Sequence, residues 1–360
     1  MTAYSQHRFR ALDGWRGICA LLVALHHFPS EGLIYRATLV RNAWLFVDFF
    51  FVLSGFVIAH AYGTRLSTGS EIRSFTIRRF FRLWPLHVAV LAGFIALELI
   101  RYTATGTGFT GERTPFAILT NLFLVQSLGI HDRLTWNTPA WSISTEFWTY
   151  LIFGAICFLA RGARVIVSAV AIAGSLAALI FVSRYGMRET FDWGLARCLY
   201  GFLLGSLAYE AWSRGFFAKL AGTSSEYAVV TVALMFLLLV PGYLSFEYLA
   251  TPVFALLVIV FASEAGTLSC GMHRRAVNAL GRWSYSLYMV HMLVLAIMAS
   301  WIDLRAFTGW QADALTLVYL AAVIALSAAT WRFIELPGQK IGSRPSRSSS
   351  SVTAEHAGAG

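Results

Sequence analysis

The chain has 360 residues, a formal net charge of +10, 58% hydrophobic and 13% charged residues, and a mean hydropathy of +0.64. That balance excludes an ordinary soluble domain and points to a polytopic, all-α membrane protein. In such a chain the positive charge fits basic loops at a membrane surface, and no nucleic-acid partner is expected. The four cysteines (Cys19, Cys157, Cys198, Cys270) are scattered, mostly in apolar runs, and predict neither a disulfide framework nor a metal site.

Ten spans are predicted, at 13–30, 43–62, 83–101, 141–160, 164–183, 194–212, 226–243, 248–264, 283–302 and 311–334. The first, DGWRGICALLVALHHF, keeps Arg16 and two histidines and has no small-residue cleavage site, so no cleavable signal peptide is expected. His27 lies eleven positions after Arg16. That spacing puts them on one helix face, about 16 Å apart along the axis. Ionisable groups in hydrocarbon usually line a polar cavity or a substrate path, and an imidazole suits proton transfer near neutral pH. Snorkelling towards the two interfaces is the simpler explanation for either residue alone.

The second span, WLFVDFFFVLSGFVIAHAY, is interrupted by Asp48 and Ser54, and Gly55 allows close helix approach. An unpaired Asp48 a few residues inside the span would be unfavourable, which makes it a candidate site residue. Ahead of the third span, IRSFTIRRFFRLWPLHV places Arg79 and Arg82 on one helical face with Arg78 beside them. Paired guanidiniums suit phosphate oxygens, although a cytoplasmic cluster on anionic lipid headgroups would look the same. Pro85 predicts a kink or a fresh helix start.

The segment PFAILTNLFLVQSLG, from Pro115, is too short to span and reads as a re-entrant or interfacial helix. It belongs to a stretch of about 40 residues between the third and fourth spans, long enough to act as a lid or binding segment. In NTPAWSISTEFWTYLIF, Ser142 and Glu146 are i,i+4 neighbours, with Asn137 or Thr138 as the expected helix cap and Pro139 in the first turn. Glu146 then lies near the level of His27, and the two are expected to meet. In GRWSYSLYMVHMLVL, Ser284 and His291 share a face with Tyr288 beside them, so His291 is a further candidate or a structural hydrogen-bonding residue. The closing WRFIELP predicts a structural Arg332–Glu335 pair at a helix end, with Pro337 as the stop.

Both termini are predicted to be cytoplasmic. With the N-terminus inside, the cytoplasmic segments hold Arg8, Arg10, Arg65, Arg73, Arg78, Arg79, Arg82, Arg274, Arg275 and Arg282 among others, and the opposite side holds far fewer basic residues. An eleventh span would spoil this asymmetry. Residues 8–340 form one membrane domain, and the polar, Ser-rich stretch 343–360 is expected to be a disordered cytoplasmic tail.

Taken in order, LDGWRGICALLVALHHF, FFFVLSGFVI, RRFFRLWP, WSISTEFWTY and SYSLYMVH resemble the acyltransferase 3 family of integral membrane O-acyltransferases, over about residues 10–340. The family's arginine–ten residues–histidine motif matches Arg16 and His27, its paired-arginine motif Arg79 and Arg82, and its Ser-x-x-x-Glu motif Ser142 and Glu146. The resemblance implies an enzyme that moves an acyl group, often acetyl, from acetyl-CoA or another acyl-CoA to a hydroxyl of a sugar, frequently in a cell-surface or exported glycan. Acyl-CoA would be a donor substrate and no cofactor would be permanently bound.

Under this reading His27 is the general base or acyl-accepting residue, Glu146 orients it, Arg16 binds the donor or stabilises negative charge, and Ser142 positions the acceptor or Glu146. Arg79 and Arg82, with Arg78, would take the acyl-CoA phosphates. Some family members carry an extracytoplasmic hydrolase-like domain. This sequence shows none, so either the membrane domain completes transfer or a separate glycan-assembly protein does. The Arg- and Ala-rich composition points to the inner membrane of a bacterium. A transporter or flippase, and a non-catalytic partner of a biosynthetic complex, are the competing readings.

Overall fold

The computed structural model describes residues 8–239 and 244–343. Its main helices are α1 (Arg10–His27), α2 (Phe46–Tyr62), α3 (Gly69–Thr105), α4 (Pro115–Leu122), α5 (Ala140–Leu159), α6 (Arg164–Phe181), α7 (Gly194–Ser213), α8 (Thr223–Leu239), α9 (Ala250–Ala262), α10 (Arg275–Trp301), α11 (Gly309–Thr330) and α12 (Leu336–Gly342). Single turns at Leu33–Arg36, Thr38–Arg41, Leu244–Glu247 and Thr267–Met272 join them. Among the described residues, β pairing is limited to one isolated bridge, Glu31–Thr308.

Each expected span coincides with a helix, and the end of the seventh, at 240–243, lies outside the described residues, as does the expected tail beyond Ser343. Among the described residues, six helical stretches are long and apolar enough to cross a membrane: α2 with its leading turn, α3, α5, α6, α10, and α11 continued through α12. Helices α8 and α9 are apolar but shorter, and α1 and α7 are long enough but more polar.

Helix α3 has 37 residues and measures about 55 Å, far more than the roughly 30 Å of a hydrocarbon core. It starts much earlier than the third span suggested. A capping box fixes that start: the Thr68 hydroxyl accepts from the Glu71 amide, and the Glu71 carboxylate accepts from the Thr68 amide. The helix runs on through Pro85, so no fresh start occurs there. Arg78, Arg79 and Arg82 therefore ride on a continuous rod.

At the other end of the chain, Pro337 does not stop the helix. Residues Trp331–Glu335 form a π turn, and the helix continues to Gly342. Proline lacks an amide hydrogen and its ring crowds the carbonyl four residues back; the wider turn before it absorbs both defects. Helix α4 begins with Pro115 at its first position and Thr114 as cap. Its eight residues rise about 12 Å, in line with a non-spanning helix.

Two glycine contacts position the site. A Cβ at Gly55 would lie 1.8 Å from the Phe202 carbonyl oxygen, so α2 and α7 touch backbone to backbone. A Cβ at Gly281 would lie 2.4 Å from the Asp13 carbonyl oxygen, which puts α1 directly on α10. That contact lays the Arg16–His27 face of α1 along the Ser284–Tyr288–His291 face of α10.

Candidate functional site

The face of α10 works as a ladder. Arg16 Nε donates to Ser284 Oγ at 2.7 Å, and its Nη2 donates to the Gly281 carbonyl at 2.9 Å. Asp13, one turn earlier on α1, sits 3.1 Å from the same guanidinium. One turn up α10, the Tyr288 hydroxyl lies 2.8 Å from Ser142 Oγ. At the next level the His291 ring lies against His27, with centroids 5.0 Å apart.

Around the lower two rungs is a cavity of about 150 Å³. Arg16, Arg79, Arg82, Ser142 and Glu146 all line it, together with Ser54, Tyr150, Ser284, Tyr285 and Tyr288. Five of the residues given catalytic or donor-binding roles from the sequence thus meet in one place. Glu146 Oε1 accepts from Ser54 Oγ at 2.7 Å and from the Tyr150 hydroxyl at 2.5 Å. Ser142, Glu146 and Tyr150 form an i, i+4, i+8 stripe on α5, and Tyr150 is the member that sequence reasoning passed over.

The paired arginines have different partners. Arg82 is salt-bridged to the buried Glu335 and stacks its guanidinium on Tyr285 at 5.5 Å. Ser286 donates to the other Glu335 oxygen at 2.8 Å. Glu335 therefore serves Arg82, and the expected Arg332–Glu335 pair is not formed; the π turn aims the carboxylate inward instead. Arg79 has no carboxylate partner among the described residues. It lies 5.4 Å from the Tyr62 ring and 5.9 Å from the Tyr150 ring, and its Nε is buried without a hydrogen bond. Arg78 stacks on Tyr62 at 5.8 Å and does not line the cavity.

His27 belongs to a second cavity, of about 490 Å³, lined by His26, Arg41, Trp44, Trp141, Arg188, Arg197 and the Leu134–Pro139 end of the long connection. It makes no hydrogen bond to Glu146, whose contacts to Ser54 and Tyr150 lie in the first cavity. The expected meeting is corrected: sequence depth put both at one level, and the bundle puts them in separate chambers. Val47 and Tyr288 line both cavities and form the partition.

His27 Nδ1 lies 2.9 Å from the Val23 carbonyl oxygen. A carbonyl only accepts, so the neutral ring carries its proton on Nδ1 and keeps a lone pair on Nε2. His291 repeats the pattern, with Nδ1 3.2 Å from the Leu287 carbonyl and Nε2 buried without a partner. His26 Nδ1 is instead tied to the Val40 carbonyl at 3.2 Å.

Asp48 lines neither cavity. It is fully buried and accepts two hydrogen bonds from Arg197, at 2.9 and 2.7 Å, in a bidentate pair. The Arg197 guanidinium lies between Trp44 and Trp141, at 5.4 and 5.2 Å from their rings. Sequence reading named Asp48 and missed Arg197, 149 residues away, although an intramembrane carboxylate always calls for such a partner.

Asn137 and Thr138 do not cap α5. Pro139 takes that place, because Asn137 donates across to the Met289 carbonyl at 3.1 Å. The connection from 106 to 139 is pinned by further bonds, including Arg113 to the buried Glu98 at 2.7 Å and Gln126 to the Ala140 carbonyl at 3.1 Å.

Fold and site together define a helical protein of membrane-spanning character, with Arg16, Arg79, Arg82 and Glu146 around one cavity and His26 and His27 around a second that shares Val47 and Tyr288 with it. The acyltransferase-domain family model matches residues 9–332. The chain belongs to the acyltransferase 3 family and is an acyltransferase. It is 26% identical to Acyltransferase MdmB of Streptomyces mycarofaciens, over 93% of this chain and 92% of the relative. It is 34% identical to Protein 2 in picA locus of Rhizobium radiobacter, over 41% of this chain and 81% of the relative. Peptidoglycan O-acetyltransferase OatA of Listeria monocytogenes is 21% identical over 95% of this chain, which spans 57% of that protein. No solved structure matches.

Proposed function

We propose that the protein is an acyl-CoA-dependent O-acyltransferase that places a short acyl group, acetyl first among them, on a hydroxyl of a sugar in a cell-surface or exported glycan. The observation that carries this reading is the two-chamber arrangement: an arginine- and carboxylate-lined cavity that shares Val47 and Tyr288 with the cavity holding His27. On the proposed topology, ten spans with both termini cytoplasmic in a bacterial inner membrane, the arginine chamber faces the cytosol and the His27 chamber faces the opposite side.

The donor enters from the arginine end, with Arg79 as the open cation at the mouth and Arg82 behind it. A volume of about 150 Å³ takes a group of benzene's dimensions, which favours a short acyl chain. The acceptor approaches from the larger chamber, whose wall carries Trp44 and Trp141 with the Arg197 guanidinium held between them. Displacement of the Tyr288 side chain joins the two.

His27 Nε2 takes the proton from the acceptor hydroxyl as its oxygen attacks the thioester carbonyl. The carbon–sulfur bond breaks, and the leaving sulfur recovers the proton from His27. In the covalent version Nε2 itself attacks the thioester carbonyl and the CoA thiolate leaves; the acceptor oxygen then attacks the acyl-imidazole, Nε2 departs, and the acceptor's proton passes to the thiolate. Arg16, held by Asp13 and Ser284, supplies positive charge beside the donor path. Glu146 orders Ser54 and Tyr150 around the arm, and Ser142 holds Tyr288. The same residues suit a transporter pathway, and the assay must separate the two.

Inside-out vesicles given labelled acetyl-CoA and a crude glycan fraction provide the test. Acceptor-dependent release of free CoA, with label appearing in glycan, is the expected result. Movement of a saccharide across the membrane without CoA release, across a range of acyl-CoAs, would establish the transporter instead.

A further inference from the structure

A third cavity, of about 450 Å³, lies beside the donor chamber and belongs to no part of the mechanism above. It is lined by Arg8 and Arg10 at the start of α1, and by His273, Arg275, Asn278 and Arg282 around the start of α10. No carboxylate lines it. Arg8 is neutralised by Asp13 at 2.7 Å, and Arg282 lies 5.9 Å from the Trp331 ring. Arg10 and Arg275 are exposed and have no ion pair among the described residues. With Arg8 paired to Asp13 and His273 lying 3.5 Å from Glu264, the guanidiniums of Arg10 and Arg275 are the ones left for phosphate oxygens.

Its position narrows the ligand. Arg275 stands nine residues before Ser284 and thirteen before Tyr288 on the same helix, about 14 and 20 Å away. Arg10 precedes Arg16 by six residues on α1. The basic cavity and the donor chamber are thus strung along one seam between two helices whose backbones touch. The donor chamber holds a benzene-sized group and has no room for a nucleotide. A thioester carried on a long arm from a nucleotide must park that nucleotide outside. Acyl-CoA has anionic groups in two places, a diphosphate and a ribose phosphate, and the protein offers two cationic places, Arg79 of α3 in the donor chamber and the Arg10–Arg275 cavity on the α1–α10 seam.

We infer that the cavity between Arg10 and Arg275 is a phosphate-binding site, and that it receives the ribose 3′-phosphate of the acyl-CoA donor. The inference rests on the donor assignment made above. An anionic lipid headgroup offers the same chemistry from the membrane side, and the test is built to separate the two sources.

The experiment uses the full chain in nanodiscs, wild type against Arg10→Gln, Arg275→Gln and the double variant. Neither residue neutralises a buried carboxylate, so the folded protein is retained; thermal melting verifies it. Transfer is measured from acetyl-CoA and from acetyl-3′-dephospho-CoA. Wild type should have a KM for acetyl-CoA about tenfold lower than for the dephospho donor, as for loss of one charge-assisted contact. Each variant should raise the KM for acetyl-CoA and leave that for the dephospho donor in place, which removes the discrimination. Binding of adenosine 3′,5′-bisphosphate, measured without any transfer, should weaken in parallel; it keeps this inference testable if wild type transfers nothing.

Equal loss with both donors, or wild type that does not distinguish them, overturns the assignment. So does a variant effect that appears only when the nanodisc changes from zwitterionic to anionic lipid, which would give the site to a headgroup.

Discussion

The two chambers on either side of Tyr288 are built from different chemistry. Below it, charges are opposed and mostly paired: Arg16 with Asp13, Arg82 with Glu335, Glu146 with two hydroxyls, and Arg79 left open. Above it lie histidines whose Nδ1 atoms are turned to backbone carbonyls, and tryptophans around a neutralised arginine. A polyanionic donor and an uncharged hydroxyl need these different surroundings. The sequence motifs thus do not form one catalytic cluster: His27 lines one cavity, the other motif residues line a second, and Val47 and Tyr288 line both.

The sharpest way to break this division is His27→Ala. Loss of the general base should reduce transfer by about 10²–10⁴-fold with an unchanged melting temperature, measured on purified protein. Next in size is Asp48→Ala, which leaves Arg197 buried and unpaired in the wall of the upper chamber. A loss of about 3–5 kcal/mol is expected, read as reduced thermal stability in detergent. If Asp48→Ala melted like wild type while activity vanished, the carboxylate would have a direct chemical role that its burial denies.

A third comparison separates the paired arginines. Arg82→Gln strands Glu335 and should lower the melting temperature. Arg79→Gln strands nothing and should raise the KM for acyl-CoA about tenfold at constant stability. Equal behaviour of the two would contradict the different partners seen for them. The smallest effect is expected from Tyr288→Phe, which keeps the ring and removes the bonds to Ser142 and the Pro139 carbonyl. A change of about 1 kcal/mol in stability is expected, with acyl-CoA hydrolysis in the absence of acceptor as the readout of a loosened wall.

Local rules made much of this legible. Helical period put Arg16 over His27 and Ser142 over Glu146, and hydropathy located every main helix that carries them. The glycine at 55 read correctly as a close contact. What failed was pairing across the chain. Arg197 lies 149 residues from Asp48, and Glu335 lies 253 from Arg82, so neither partner has a local signature. Glu335 even had a decoy in Arg332, one turn away, which the π turn defeats. Depth along a helix axis also says nothing of azimuth. That is why Glu146 and His27, level in the sequence, end in different chambers. Pro85 did not restart the helix, and Pro337 did not stop it, because a π turn precedes it.

The central claim is that His27 moves the proton of an acyl transfer between donor and acceptor chambers. Purified wild type and His27→Ala, in proteoliposomes of one composition, would be given labelled acetyl-CoA and a saccharide acceptor. Label in the saccharide and stoichiometric free CoA from wild type alone, with both proteins melting together, is the predicted result. Transfer by His27→Ala at the wild-type rate would contradict it.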